Sequence, residues 1–155
     1  MKVYKLYREQ IVKGNIKDIW KFFSDPRNLS KITPPYMNFK ILTEDLPDEI
    51  FTGLIIEYKV TPIGGIPVHW VTEITAVEKY KYFIDEQRFG PYKFWHHLHL
   101  FEQVDEGKIK IIDKVHYIIP LGIVGQIMNS LFVKKRLDEI FDYRAKAISE
   151  IFGEK

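Results

Sequence analysis

The sequence predicts an α+β fold in which a curved, seven-stranded antiparallel sheet wraps around one long C-terminal helix, with two short helices after the first strand. Three observations carry this expectation. Residues 3–12 have strand-like spacing and are followed by two short helical stretches. From residue 36 to 119 the pattern is strands separated only by turns of hairpin length. The chain then closes on an amphipathic helical repeat ending near Phe152-Gly153. Such a sheet can bury its apolar face and that of a single long helix only by curving around the helix. The space left between them is the natural place for a ligand.

Each element has a local cause. Gly14-Asn15 offers a break and a helix cap, and Ile16, Ile19, Trp20 and Phe23 then recur at helical spacing. Asp25-Pro26 ends that helix, Pro26 opens a second one reaching Ile32, and Pro34-Pro35 stops it. Strands are expected at 36–43, 52–62, 67–78, 82–89, 93–104 and 108–119. The separators are Leu46-Pro47-Asp48, Ile63-Gly64-Gly65-Ile66, Glu78-Lys79-Tyr80-Lys81, Gly90-Pro91 and Asp105-Glu106-Gly107. In the final helix Val133, Leu137, Ile140, Phe141, Ala147, Ile148 and Ile151 share one face. Val124, Ile127 and Leu131 fall on a face rotated by roughly a third of a turn at the ideal period. The helix is therefore expected to bend near residue 132 or to follow a separate turn.

Composition narrows the class. A chain of 155 residues fits one domain spanning 1–155, and 46% hydrophobic with 28% charged residues excludes disorder. With 23 basic and 21 acidic side chains the formal charge is +2, which gives no reason to expect nucleic acid or an anionic membrane as main partner. Lys134-Lys135-Arg136 reads as a solvated helix face. The run 115–133 lacks Lys, Arg, Asp and Glu, but Pro120, Gly122, Gly125, Gln126, Asn129 and Ser130 break it, so it reads as a strand end, a turn and a helix start rather than a membrane span. Cysteine is absent, which removes disulfides and thiolate chemistry. With no signal-peptide pattern at the N-terminus, a cytoplasmic location is expected.

Several runs carry a family resemblance. They are Leu29-Ser30-Lys31-Ile32-Thr33-Pro34-Pro35, Trp70-Val71-Thr72-Glu73-Ile74, Phe83-Ile84-Asp85-Glu86-Gln87 leading to Gly90-Pro91, and Trp95-His96-His97-Leu98-His99-Leu100-Phe101. Asp113-Lys114-Val115-His116-Tyr117, Pro120-Leu121-Gly122 and Leu137-Asp138-Glu139-Ile140-Phe141-Asp142-Tyr143-Arg144 complete the set. In these runs the chain resembles the SRPBCC, or START-like, helix-grip superfamily, and within it the bacterial ligand-binding, cyclase/dehydrase-like proteins. The resemblance implies the helix-grip fold and an internal cavity, with no metal or cofactor. It does not select one function, because the superfamily hosts carriers, cyclases and cochaperones.

Strand alternation assigns side chains to the cavity independently of any family. Ile56, Tyr58 and Val60 face inward in 52–62; Trp70, Thr72, Ile74 and Ala76 in 67–78; Phe83, Asp85 and Gln87 in 82–89. A three-residue turn at 105–107 pairs Val104 with Lys108, which sets His99 opposite Asp113 and Trp95 opposite Tyr117. Trp95, His97, His99 and Phe101 then share the inner face with Asp113 and Tyr117. Buried carboxylates need partners, so Asp113 is expected to accept from His99, and Asp85 from His97 or a tyrosine. Arg144 falls inside the apolar stripe of the last helix, where it either snorkels along the helix edge to water or points inward and needs an anion: Asp85, Asp113 or a ligand carboxylate. His97, His99 and Asp113 are valid metal ligands, yet no helix-borne pair or metal-site spacing supports a metal.

The expected function is binding of a hydrophobic or aromatic small molecule, a lipid, polyketide or similar, with Tyr58, Trp70, Asp85, Gln87, Trp95, His97, His99, Asp113, Tyr117 and Arg144 as ligand contacts. An enzymatic alternative is a cyclase, aromatase or dehydratase in which His97 or His99 is the general base and Arg144 holds an enolate. A cochaperone-like protein-binding module is a third. The register also points Phe94, Leu98, Leu100, Ile112 and Ile118 outward, an apolar set that suggests a homodimer through the outer sheet face.

Overall fold

The computed structural model describes residues 1–62 and 64–153. Strand β1 (Tyr4–Lys13) leads to helix α1 (Ile16–Ser24), two 3-10 turns (Pro26–Ile32 and Pro35–Met37) and the short β2 (Lys40–Ile41). Five strands follow: β3 (Ile55–Val60), β4 (Val68–Glu78), β5 (Tyr82–Phe89), β6 (Phe94–Asp105) and β7 (Lys108–Ile118). Helix α2 (Gly122–Met128), a π turn (Asn129–Val133) and helix α3 (Lys134–Phe152) complete the chain. The seven strands form one antiparallel sheet in the order β1-β7-β6-β5-β4-β3-β2. Ile63, first residue of the expected 63–66 turn, lies outside the described residues.

Local chemistry sets the ends of these elements. The Asn15 side chain accepts from the Asp18 amide at 2.9 Å and caps α1, whose Ile19, Trp20 and Phe23 are buried. Asp25 caps the next turn through the Arg27 amide, with Pro26 at its first position. Gly153, at φ 84°, ends α3 and donates back to Ser149 O at 2.7 Å.

Three expectations are corrected. The strand at 36–43 shrinks to Lys40–Ile41, because Pro34-Pro35 start a 3-10 turn through Met37 and Asn38 takes a left-handed conformation. In β4 a register shift between Ile74 and Ala76 reverses the alternation, so Val77, opposite Phe83, joins the core and Ala76, opposite Ile84, turns outward. At the β6–β7 hairpin Asp105 pairs with Lys108 and Val104 is skipped, yet beyond this bulge His99 faces Asp113 and Trp95 faces Tyr117 as the alternation requires.

The break before α3 is the π turn. It keeps Gly125, Asn129, Val133, Leu137 and Phe141 buried, while Val124, Ile127 and Leu131 face solvent. On the outer sheet face Ile112 and Ile118 are buried within the chain and Leu98 and Leu100 are half-buried. Of the five residues expected to face outward there, Phe94 is the most exposed, at 38%.

Gly125 permits the first turn of α2 to lie against the preceding loop: a Cβ there would stand 2.0 Å from the Pro120 carbonyl oxygen, a backbone atom with nowhere to go. Gly125→Ala should therefore displace α2 and destabilise the protein by about 1–3 kcal/mol, the usual cost of overpacking. Denaturant unfolding measures it, and an unchanged midpoint would refute the contact.

Candidate functional site

Two apolar clusters fill the space between sheet and helix. One gathers Val12, Ile19, Trp20, Phe23, Phe83, Phe101, Ile111 and Ile148; the other gathers Leu6, Trp95, Val115, Tyr117, Val133, Leu137 and Phe141. Between them, in register across β5, β6, β7 and α3, lies a band of charge: Asp85, His97, His99, Asp113 and Arg144. All but Asp85 are buried to 6% exposure or less.

The bonds inside this band run diagonally. Although Asp85 faces His97 and His99 faces Asp113 in the ladder, the close contacts are His99 Nε2 to Asp85 Oδ2 at 2.5 Å and His97 Nε2 to Asp113 Oδ1 at 2.8 Å. The expected pairing is thus exchanged between the two carboxylates, and Asp113 also stands 3.3 Å from His99 Nδ1. Diagonal neighbours on one sheet face are within reach of long or aromatic side chains. The imidazoles stack at 3.7 Å between centroids, and Phe83 covers the other face of His99 at 4.1 Å. Arg144 reaches Asp113 Oδ1 through Nη2 at 3.3 Å and lies 3.3 Å from His99 Nδ1. Its buried Nε has no partner among the described residues.

Charge accounting explains the protonation. Burial pushes both carboxyls up, but the His99 hydrogen bond and the surrounding cations bring Asp85 below its usual range. Asp113 ends well below it, with the Arg144 charge the strongest opposing cause. Burial likewise pushes both imidazoles down. For His97 burial prevails, helped by repulsion from His99; for His99 the hydrogen bonds to Asp113 and Asp85 outweigh burial and raise it. Two carboxylates and one guanidinium leave one negative charge beside the imidazoles, which favours the charged form of His99 over that of His97.

A cavity of about 200 Å³ opens against this band. Tyr58, Trp70, Asp85, Trp95, His97, His99 and Arg144 lie on its wall, with Leu29, Thr33 and Met37 contributed by the segment after α1. Asp113 sits behind the histidines, off the wall. Gln87 is also off it: its side chain donates to Tyr92 O at 2.6 Å and accepts from Tyr92 N at 3.1 Å, pinning the 90–93 turn. Gly90 makes room for this clasp, since a Cβ there would lie 2.5 Å from Gln87 Oε1. Tyr117 donates to Asn129 Oδ1 at 2.9 Å, and burial pushes its phenol up to about 12. Sequence reasoning missed Tyr92, which packs against Trp95 at 4.8 Å and Trp70 at 5.6 Å on the wall. The available signal was its place in the Gly90-Pro91 turn, between two inward-facing strands.

Asp85, His97 and His99 bring potential ligand atoms within 4.8 Å of one another, so a divalent cation would meet Asp85 rather than the Asp113 considered from sequence. The His99–Asp85 hydrogen bond already occupies that approach, and a metal would have to displace its proton.

No family model matches the chain, and no curated protein matches it. Solved structures do. A norcoclaurine synthase of Thalictrum flavum bound to a transition-state analogue is 18% identical, with 96% of each chain covered and a TM-score of 0.68. The major latex-like protein 151 of Panax ginseng is 13% identical, with 97% of each chain covered and a TM-score of 0.69. Ara h 8.0201 is 15% identical over 96% of this chain and 99% of its own, at a TM-score of 0.64. The chain has the helix-grip fold these proteins share.

Two tests address the band. Arg144→Leu strands Asp113 and should cost about 3–5 kcal/mol, while Arg144→Leu/Asp113→Leu should recover most of it; equal losses in both variants would refute the pairing. For His99 the sign follows from its raised value. Its stabilising charge is fully present below the unfolded histidine value of about 6.5 and fades as pH rises through the higher folded value. The stability difference between wild type and His99→Gln should therefore shrink as pH climbs from about 6 to 9, as read by thermal unfolding. A difference that grows would reverse the assignment.

Proposed function

We propose that the protein binds a compact hydrophobic or aromatic small molecule in this cavity, as a carrier or binding protein. The observation that carries this reading is the wall itself: Trp70, Tyr92 and Trp95 meet edge-on or tilted, apolar side chains such as Leu29, Ile32, Met37 and Ile140 line the cavity with them, and Asp85, His97, His99 and Arg144 form its charged edge. A dry cavity of about 150 Å³ accepts benzene, so 200 Å³ suits a molecule of one or two rings. A long lipid or a polyketide needs the wall to open. Asp85 is the most exposed member of the band, its side chain 18% accessible, and so the first to meet a ligand's hydroxyl or amine.

A second reading has its own support. His99 Nε2 and Asp85 Oδ2 are joined at 2.5 Å at the cavity edge with His97 stacked on His99, an arrangement that suits a general acid–base step. Asp85 would exchange a proton with a carbon or oxygen of the bound molecule and relay it to His99 through their hydrogen bond. Arg144, engaged by Asp113, supplies positive potential rather than a free clamp for an enolate.

The neutral fluorophore N-phenyl-1-naphthylamine should bind with a stoichiometry near one. Trp70→Ala and Trp95→Ala should each weaken it by about tenfold, consistent with aromatic contacts worth about 0.5–1.5 kcal/mol beyond area. Unchanged affinity in both variants would move the probe out of the cavity. Deuterium exchange at the methyl group of acetophenone, followed by NMR, addresses the second reading: exchange lost in His99→Gln supports proton transfer, and exchange no faster than in buffer leaves binding alone.

A further inference from the structure

The formal charge of +2 hides a segregation along the sheet axis. The antiparallel register places Tyr4 beside Tyr117, Phe94 beside Ile118 and Val60 beside Val68, so the start of the chain, residues 61–62 and 64–67, the 90–93 turn and the β7–α2 loop lie at one end. The Thr61 amide bonds Met37 O at 2.7 Å and the Arg136 guanidinium lies 4.8 Å over the Tyr36 ring, which brings the segment after α1 and the first turn of α3 to the same end. None of the 21 acidic side chains falls in residues 1–5, 33–41, 59–62, 64–70, 88–96 or 116–136, which build this end, whereas nine Lys and Arg do. Arg88 and Arg136 are paired with Glu73 and Glu139 just beyond it. Lys2, Lys5, Lys93, Lys134 and Lys135 are exposed, and none makes an ion pair among the described residues.

The same end carries the largest apolar protrusions of the molecule. In α2 and the π turn Leu121 is 70% exposed, Ile123 77%, Val124 59%, Ile127 56%, Leu131 59% and Phe132 60%. Ile66 at 67% and Phe89 at 63% stand on the neighbouring turns. A run of exposed apolar side chains such as that of α2 and the π turn marks an interaction site. Its rim is basic and free of carboxylates, the pairing of apolar insertion with cationic attraction that holds a protein on an anionic bilayer. A second copy of the chain would bring lysines against lysines.

We infer that this end docks on an anionic phospholipid surface, with α2 and the π turn entering the interface and Lys134 and Lys135 meeting the headgroups. Thr33, Met37, Pro62, Trp70 and Tyr92 belong to the same segments and line the cavity, so docking brings the cavity close to the lipid. The inference stands independently of what the cavity binds.

Co-sedimentation with phosphatidylcholine vesicles containing about 30 mol % phosphatidylserine tests it against pure phosphatidylcholine. Binding should require phosphatidylserine and fall at least tenfold in about 0.5 M salt. Ile123→Asp/Ile127→Asp and Lys134→Glu/Lys135→Glu should each fall at least tenfold as well, with circular dichroism and N-phenyl-1-naphthylamine binding retained. Absence of binding to either vesicle overturns the inference, as does binding that ignores lipid charge and both variants. A wild type that sediments as a dimer, made monomeric by Ile123→Asp/Ile127→Asp, would assign the surface to a second copy instead.

Discussion

The interaction on which the rest of the structure depends is the Asp113–Arg144 contact and the two imidazoles that complete it. A carboxylate buried to 6% exposure in the middle of a β-sheet is untenable alone. It is held by a guanidinium reaching across from α3 and by two ring nitrogens from β6. These contacts fix the rotation of α3 about its axis, because Arg144 can meet Asp113 only if Phe141 and Ile148 fall on the two apolar clusters on either side. The helix is thus gripped by apolar surface at both ends and by charge at its centre.

That centre also explains why the cavity lies where it does. The histidines and Asp85 cannot be covered by aliphatic side chains without losing what hydration remains to Asp85. A space therefore remains beside them, lined by Trp70, Tyr92 and Trp95 and by Leu29, Ile32 and Met37 of the segment after α1. The cavity is a consequence of placing charge in the core, and the polar edge it exposes is the feature any bound molecule must satisfy. Arg144 Nε has no partner among the described residues, and a buried donor left so costs about 1–3 kcal/mol. The protein bears this cost while the other guanidinium contacts hold Asp113.

Much of this was legible in the sequence because strand alternation is rigid. Once the 105–107 turn fixed the pairing of β6 with β7, the positions of His97, His99, Asp113, Trp95 and Tyr117 followed, and a bulge at Val104 did not disturb them. Alternation could not show the bulge at Thr75, which exchanges Ala76 for Val77, because a bulge leaves no periodic trace. Nor could it tell which imidazole meets which carboxylate, since both options lie within side-chain reach and only rotamers decide. Gln87 and Tyr117 face inward as their positions require, but the nearby Tyr92 backbone and Asn129 engage them first. The 36–43 strand failed where prolines overrode the apolar pattern.

The π turn connects the interior to the surface. Tyr117 presents its hydroxyl toward the helix, and a buried donor there requires an acceptor, which Asn129 provides. Gly125, Asn129 and Val133 share one face at four-residue spacing, the helical phase shift across 129–133 brings that face into line with Leu137 and Phe141 of α3, and the same shift carries Val124, Ile127 and Leu131 away from the core. In an unbroken helix those side chains would compete with Asn129 for the inner face. The apolar exposure of α2 is therefore built into the packing that closes this end of the sheet, and it cannot be relieved by a rotamer change. A surface that the fold itself holds open, on an end from which carboxylates are absent, is placed to meet a partner that is both apolar and negatively charged.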